Sequence, residues 1–364
     1  MAPIHRVTKK EKARIDEELK LNHHIPTILV DLLGDLSNIQ FKDVLTDFMS
    51  KYKGTNFDNI EQEYNFTKDF ICRLLESAFS NPFQGVIEKA MKLAIAETNF
   101  VDAARERFIH PFQDFLLGSI IIDKFYGQFQ TWFSEELCKS KSTCVEASWL
   151  LASVFHDRTK PLRELKNMIE YEEGEVVVEI PEKDEYIHAL SSLYFHLSEE
   201  KTLESWVLDE TENRISQILR EYAEADNHGV KSSFSLLRHL QKAFGADAFN
   251  PSYVEAALAI ALHDSQLHEQ LLSAQILPLD ISRFPLPCLL LYCDAVQEWG
   301  REKRYNPEVR LVNLKVEEDS VHCEIAFDQN EKARDKFEEI ANVTRCFQST
   351  EISFTFSPRV YVCL

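Results

Sequence analysis

Glycine and proline are scarce in this chain, and no two of its cysteines form a CxxC pair. The 364 residues include 9 glycines and 12 prolines, a composition that favours helices over a loop-rich or all-β structure. The eight cysteines lack the paired spacing of zinc and redox motifs, so Cys288 and Cys293, in a strongly apolar segment, are expected to be buried free thiols. The sequence therefore predicts a mainly α-helical protein in a reducing compartment.

A net positive charge and a long apolar run are also lacking. The formal net charge of −20 argues against nucleic-acid binding, because counterion release requires clustered Lys and Arg. A small anionic substrate remains compatible with this charge, since bound metal cations reverse the local field. An apolar stretch over 115–129 contains Asp123 and Lys124 and is too short to span a membrane. The opening segment MAPIHRVTKKEKARIDEELK is charged and does not resemble a signal peptide. We therefore expect a cytoplasmic protein that does not enter membranes.

Hydrophobic periodicity divides the chain into three parts. Residues 1–100 place apolar side chains at helical spacing, which predicts a helical N-terminal segment that caps the protein or docks a partner. Residues 101–305 read as a run of helices, interrupted near 170–185 by an acidic piece whose VVVEI predicts a short strand. Residues 306–364 alternate with period two around one helix, which predicts a small β-β-α-β appendage. The length of the chain fits one large domain with appendages, or two domains.

Six histidines and aspartates stand at the edges of apolar runs, where a buried polar group needs a partner. The flanking sequences are RFIHPFQDFLLGS, LLASVFHDRTKP, ADNHGVKSS, AIALHDSQ and LLLYCDAVQEWGR. In chain order the candidate ligands are His110, His156, Asp157, His228, His263 and Asp294. Imidazole and carboxylate ligands suit divalent metals, and a carboxylate shared by two cations about 3.5–4 Å apart is a common hydrolytic arrangement. Six ligands suffice for two metal ions with open positions for water and substrate.

These residues and their flanks resemble the HD-domain superfamily of metal-dependent phosphohydrolases over roughly residues 105–305. HPFQDFLLGSIII is similar to the helix that carries the family's first histidine, and FHDRTKP to its His-Asp turn. NHGVKSS is similar to its His-Gly helix start, and LPCLLLYCDAVQEWGR to the helix of its last aspartate. The resemblance implies a helical bundle with an H…HD…H…H…D ligand order.

The resemblance also implies a ligand set for two divalent metal ions drawn from Mn, Fe, Ni, Co, Mg and Zn. The first metal would be held by His110, His156, Asp157 and Asp294. The second would be held by His228 and His263, and Asp157 would bridge the two. Lys160 falls where many members place a lysine that contacts the substrate. Many members have a glycine in the turn where this chain has Arg158-Thr159, so the turn departs from the family pattern before Lys160.

The role of Arg301 and a second way to assign the ligand order stay open. Arg301 follows the helix of Asp294 and is a candidate for binding a substrate phosphate or for a structural salt bridge. His228, His263-Asp264 and Asp294 also spell H…HD…D, but this order leaves the HPFQDFLLG and FHDRTKP segments unexplained. We expect Asp264 instead to end a helix or to support a ligand.

The function that the resemblance implies is a metal-dependent phosphohydrolase or phosphodiesterase acting on a nucleotide or another small phosphate ester. A metal-activated hydroxide would be the nucleophile, and Lys160 or Arg301 would bind the phosphoryl oxygens. The alternative is a di-iron oxygenase, because the superfamily includes oxygenases with the same ligand order, although their compact size is unlike this chain. A third hypothesis is a non-catalytic protein that binds a metal or ligand. The sequence leaves the substrate and the oligomeric state open.

Overall fold

The computed structural model describes residues 5–20, 23–79, 109–136, 145–157, 183–198, 205–225, 227–297, 309–327 and 330–360. The fold is mainly helical with a small sheet region near the C-terminus, which confirms the predicted α-rich class with a small α+β appendage. Within these ranges, no helix has both the length and the hydropathy needed to cross a membrane. The VVVEI segment, predicted as a strand, lies outside the described residues.

The helices and strands are named in chain order. The helices are α1 (Lys9–Lys20), α2 (Thr27–Leu32), α3 (Lys42–Lys53), α4 (Ile60–Phe79), α5 (His110–Lys124), α6 (Tyr126–Glu136), α7 (Val145–Phe155), α8 (Lys183–Ser198), α9 (Ser205–Glu224), α10 (His228–Phe244), α11 (Pro251–Leu262), α12 (Ser265–Ser273), α13 (Pro285–Val296) and α14 (Asn330–Val343). The strands are β1 (His5–Arg6), β2 (Leu279–Asp280), β3 (Arg310–Val316), β4 (Ser320–Phe327), β5 (Phe347–Gln348) and β6 (Ser353–Val360). Short 3₁₀ helices follow α2 and α10.

The chain forms two compact units, each built from segments that are distant in sequence. The first unit comprises Met1–Gly127, Tyr292–Arg345 and Ser349–Leu364, and the second comprises Gln128–Leu291 and Cys346–Gln348. The boundaries predicted from the sequence, 1–100, 101–305 and 306–364, stay a prediction.

Helix α5 is the central apolar element of the first unit, because its residues from His110 to Asp123 are all buried. Pro111 occupies its first turn, as predicted, where the missing N–H has no intrahelical acceptor to lose. The ring of Phe112 meets that of Phe48 edge-on at 5.0 Å between centroids. Each such buried aromatic side chain contributes about 1.5–3 kcal/mol of stability. The ring contact therefore ties the N-terminal helical segment to the start of α5.

A four-stranded sheet lies in the first unit with the order β1-β6-β4-β3. β3 and β4 form an antiparallel hairpin, and α14 then returns the chain so that β6 runs parallel to β4. This is the predicted β-β-α-β order. One strand was not expected, because β1 from the N-terminal segment pairs in parallel with the end of β6.

The second unit is built around two helices that are buried on nearly every face. All residues of α11 from Ser252 to Leu262 are buried, as are all of α7 except Val154. Helices buried all round form the centre of a helical domain, and α11 packs against α7, α8 and α10. The histidine-aspartate pairs of this unit follow the last turns of α7 and α11, so the core itself fixes their positions.

Candidate metal-binding site

Two histidines of the second unit are held by the same local contact. Nδ1 of His156 lies 2.7 Å from the carbonyl oxygen of Ser153, and Nδ1 of His263 lies 2.6 Å from that of Ile260. A carbonyl oxygen only accepts, so Nδ1 of each ring carries a hydrogen, and Nε2 is the ring nitrogen left for a metal. Each histidine follows a buried helix and bonds back to that helix's last turn. This geometry prepares both rings to bind a metal through Nε2.

The carboxylate of Asp157 stands at the centre of the histidine cluster, and the residue is 3% exposed. Its Oδ1 lies 3.4 Å from Nε2 of His228 and 3.7 Å from Nε2 of His263. Its Oδ2 lies 3.8 Å from Nε2 of His156. With metal–ligand bonds of about 2.0–2.2 Å, tetrahedral ligands lie about 3.3–3.6 Å apart. The 3.4 Å distance lies within this range, and the 3.7 Å and 3.8 Å distances are slightly longer. His156, Asp157 and His263 each offer one ligand atom within 4.8 Å of the other two, a group that could hold a metal ion.

His228 opens α10, and a carboxylate on its other ring nitrogen orients it. Oδ2 of Asp264 lies 2.6 Å from Nδ1 of His228 and accepts a hydrogen bond of 2.7 Å from Nδ2 of Asn227. Asn227 itself caps α10 by accepting from the backbone N–H of Val230. A carboxylate behind a ligating histidine fixes the ring orientation and increases its basicity. Asp264 therefore supports a candidate ligand, as expected from the sequence.

His228 and Asp264 each shift the pKa of the other. Burial alone would lower the pKa of His228, but hydrogen bonds to Asp157 and Asp264 outweigh it and raise this pKa to about 9. Burial would likewise raise the pKa of Asp264, but His228 lowers it to about 2. The raised pKa of His228 reflects the negative charge of Asp157 and Asp264 around its ring, and the lowered pKa of Asp264 reflects the charge of His228 itself. Such an environment stabilises a cation.

Gly229 brings the start of α10 close to the end of α11. A Cβ atom at this position would lie 2.9 Å from the carbonyl oxygen of Ile260 and 3.1 Å from Cβ of Asp264. Only glycine permits this approach without a shift of backbone atoms. The glycine therefore sets the short distance that lets His228 reach the cluster.

A second group of ligand atoms lies in the first unit, at the start of α5. Nε2 of His110 is 3.1 Å from Oδ1 of Asp294 and 3.4 Å from Oδ2 of Asp114. Asp114 was not among the predicted site residues, although it follows His110 by four positions on the same helix and so shares its face. Gln297 was also missed, and its Oε1 contacts Nδ1 of His110. One imidazole and two carboxylates that converge in this way suit a divalent cation.

The structure thus brings the six predicted ligands into two groups, one in each unit. His110 and Asp294 lie together in the first unit, and His156, Asp157, His228 and His263 lie together in the second. The assignment of His110 and Asp294 to one metal with His156 and Asp157 stays a prediction. Lys160 and Arg301 lie outside the described residues. What is shown is that buried histidine and aspartate groups are present that could hold a metal ion.

The cysteines do not contribute a metal site in the described part of the chain. Cys288 and Cys293 are buried free thiols, as predicted. Burial raises the pKa of each thiol well above its usual value. Because the thiolate is the metal ligand and the nucleophile, these two cysteines are expected to be inert.

No protein-family model, curated protein or solved structure matches this chain. The resemblance to the HD-domain superfamily therefore rests on the motifs of the sequence, and membership stays a prediction.

Proposed function

We propose that this protein is a metal-dependent phosphohydrolase or phosphodiesterase that acts on a nucleotide or another small phosphate ester. The observation that supports this proposal is the position of Asp157, whose buried carboxylate lies 3.4–3.8 Å from the Nε2 atoms of three histidines. A carboxylate with two oxygens among several imidazoles is suited to bridge two cations. Buried charges of this kind are stabilised by coordination to a metal.

The protein's own residues perform the positioning in this proposal. His156 and His263 are held in one tautomer by main-chain carbonyls, and His228 is oriented by Asp264. Preorganised ligands lose little freedom when the site assembles, so more of the binding energy acts on the transition state. Divalent cations of the Mn, Fe, Ni, Co, Mg or Zn group would acidify a water molecule and offset the charge of the phosphate.

Substrate contacts are assigned from the family resemblance. Lys160 and Arg301 are proposed to bind phosphoryl oxygens, since their cationic groups suit phosphate. A cytoplasmic location is part of the same proposal.

The test is the metal content of the purified protein, measured together with hydrolysis of a generic phosphodiester and a phosphomonoester under added Mn²⁺. We expect two metal equivalents and turnover for the wild type. Asp157→Ala should lose both metal and turnover while circular dichroism still reports the helices. Asp247→Ala is the control, because this exposed aspartate of the same unit contacts none of the candidate ligands in the described part of the chain.

The other outcomes separate the alternatives. Two equivalents of iron with oxygen consumption and no phosphate release would support the di-iron oxygenase. A protein that takes up no metal after reconstitution would support the non-catalytic binding hypothesis. Full metal content and turnover in Asp157→Ala would contradict the assigned site.

A further inference from the structure

A chain of buried amides connects the N-terminal segment to His110. Nε2 of Gln113 donates a hydrogen bond of 2.8 Å to the main-chain carbonyl oxygen of His24. Nε2 of Gln297 donates to Oε1 of Gln113, and Oε1 of Gln297 contacts Nδ1 of His110. Gln113, Gln297 and His110 are each 1% exposed. Protein groups rather than solvent therefore determine which atoms donate and which accept.

The donor and acceptor roles along this row of hydrogen bonds are fixed at the end farthest from His110, which is the carbonyl group of His24. The carbonyl oxygen of His24 only accepts, so the group of Gln113 that faces it must be the NH₂. The oxygen of Gln113 then faces Gln297, which must present its NH₂ there and its oxygen to His110. Rotating both amides by 180° would place two acceptors against each other at His24. Nδ1 of His110 therefore has to be the donor in its contact with Gln297.

We propose that Gln297 and Gln113 are positioning residues that keep a hydrogen on Nδ1 of His110, so that Nε2, which faces Asp294 and Asp114, is the ring nitrogen that a divalent cation would bind. This inference rests on the proposed function, because a metal is what the lone pair of Nε2 would bind. It adds two residues to the site that the ligand pattern alone does not include. A ligating histidine generally needs such a partner on its other ring nitrogen.

A buried carboxylate holds His24, at the end of this row of hydrogen bonds that lies farthest from His110. Glu63 of α4 is fully buried, and its Oε1 accepts a hydrogen bond of 3.0 Å from the main-chain N–H of His24. Its Oε2 contacts Nδ1 of the same histidine, and the hydroxyl of Tyr52 donates to Oε1. These contacts to one buried carboxylate hold the main chain at residue 24 in place. The helical N-terminal segment thus helps to set the tautomer of His110.

The test is long-range ¹H–¹⁵N correlation NMR on metal-free protein with ¹⁵N-labelled histidine, in which His110 is assigned by its absence from a His110→Asn variant. In the wild type we expect Nδ1 of His110 to show the chemical shift of a protonated ring nitrogen, with slow hydrogen exchange. A deprotonated Nδ1 in the wild type would overturn the proposal without any variant.

Two substitutions of Gln297 separate positioning from packing. Gln297→Leu keeps the bulk of the side chain but removes the acceptor, so the protonated and exchange-protected signal at Nδ1 should be lost. Gln297→Glu keeps an acceptor for Nδ1, and in this buried site a protonated carboxyl group can donate to Oε1 of Gln113 as the amide does, so the signal should remain. Equal loss in both variants would mean that Gln297 only fills space, and an unchanged signal in Gln297→Leu would also refute its role. Gln241→Leu is the matched control, because it removes a glutamine that accepts from Tyr186 and should leave the His110 signal unchanged.

Metal titration distinguishes failure of this inference from failure of the proposed function. With Zn²⁺ as the probe, Gln297→Leu should weaken binding at His110 about 10–100-fold relative to Gln297→Glu. A correct tautomer in a protein that binds no Zn²⁺ would uphold the positioning role and contradict the metal-dependent function. Zn²⁺ binding of equal strength in both variants would uphold the metal site and contradict the positioning role.

Discussion

Nδ1 of His228 lies 2.6 Å from Oδ2 of Asp264, and the two residues stand at the starts of two helices of the second unit, α10 and α12. His228 is the first residue of α10, and Asp264 is the N-cap of α12, where its side chain accepts from the backbone N–H of Gln266. One carboxylate therefore orients a candidate metal ligand and also satisfies a helix terminus. Its removal should be visible in two separate measurements.

Asp264→Ala should weaken metal binding and lower stability. Loss of the partner of Nδ1 frees the ring of His228, which should reduce the affinity for Zn²⁺ or Mn²⁺ about 10–100-fold in a calorimetric titration. Loss of the cap should cost about 1 kcal/mol in urea unfolding. The control is Asp280→Ala, since Asp280 accepts from the backbone N–H of Ser282 but has no histidine partner among its described contacts. Equal effects of the two variants on metal affinity would contradict the role of Asp264.

His228→Ala should remove one metal equivalent and leave the other. In the two-metal arrangement His228 belongs to the second metal only, whereas Asp157 bridges both. Elemental analysis should therefore fall from two equivalents to one. Loss of both equivalents, or of neither, would count against the two-metal arrangement.

Gly229→Ala should destabilise the second unit. The added Cβ would approach the carbonyl oxygen of Ile260 to 2.9 Å, and backbone atoms cannot move aside as a flexible side chain can. We expect a loss of about 1–3 kcal/mol in urea unfolding. Gly127→Ala is the matched control, because a Cβ there meets nothing within 4 Å. Two variants of equal stability would show that α10 and α11 can separate without cost.

Glu255→Gln should flatten the pH dependence of stability. Burial raises the pKa of Glu255 to about 8 from an ordinary value of 4.5, and the hydrogen bond from the backbone N–H of Leu286 offsets this only in part. Because the folded state holds the proton more tightly, the stabilisation by protonated Glu255 is complete below about pH 4.5 and is lost as the pH rises towards 8. Between these values the wild type should lose roughly 1 kcal/mol per pH unit relative to the variant. Urea unfolding at several pH values measures this difference, and parallel profiles would contradict it.

Local patterns in the sequence predicted the elements that carry the candidate ligands. Pro111 indicated the first turn of α5 because a proline at that position sacrifices no hydrogen bond. The period-two alternation after residue 306 indicated β3, β4 and β6, since successive side chains of a strand lie on opposite faces, although β4 is buried on both faces from Cys323 to Phe327. The position of Asp264 directly after an apolar helix indicated a capping or supporting carboxylate. In each case the sequence pattern lies within a few residues of the helix, strand or side-chain contact that it predicts.

Contacts between distant parts of the chain could not be predicted in this way. The pairing of β1 with β6 joins residues more than 350 positions apart. Parallel strands are not joined by a short turn, so no turn residues in the sequence indicate that the two strands pair. The contacts of Gln113 with His24 and Gln297 likewise depend on where α5 and α13 meet the N-terminal segment. Asp114 did carry a local signal, the four-residue spacing from His110, but that spacing is equally common on purely structural helices.

The burial of α5 links the candidate ligand His110 to the slowest motions of its unit. A backbone amide exchanges with solvent only when its hydrogen bond opens, and a helix surrounded by core side chains opens only when much of that core unfolds. Since the residues from His110 to Asp123 are all buried, their amides should be among the last to exchange. The main chain that carries His110 should therefore move away from its position only when much of the first unit unfolds.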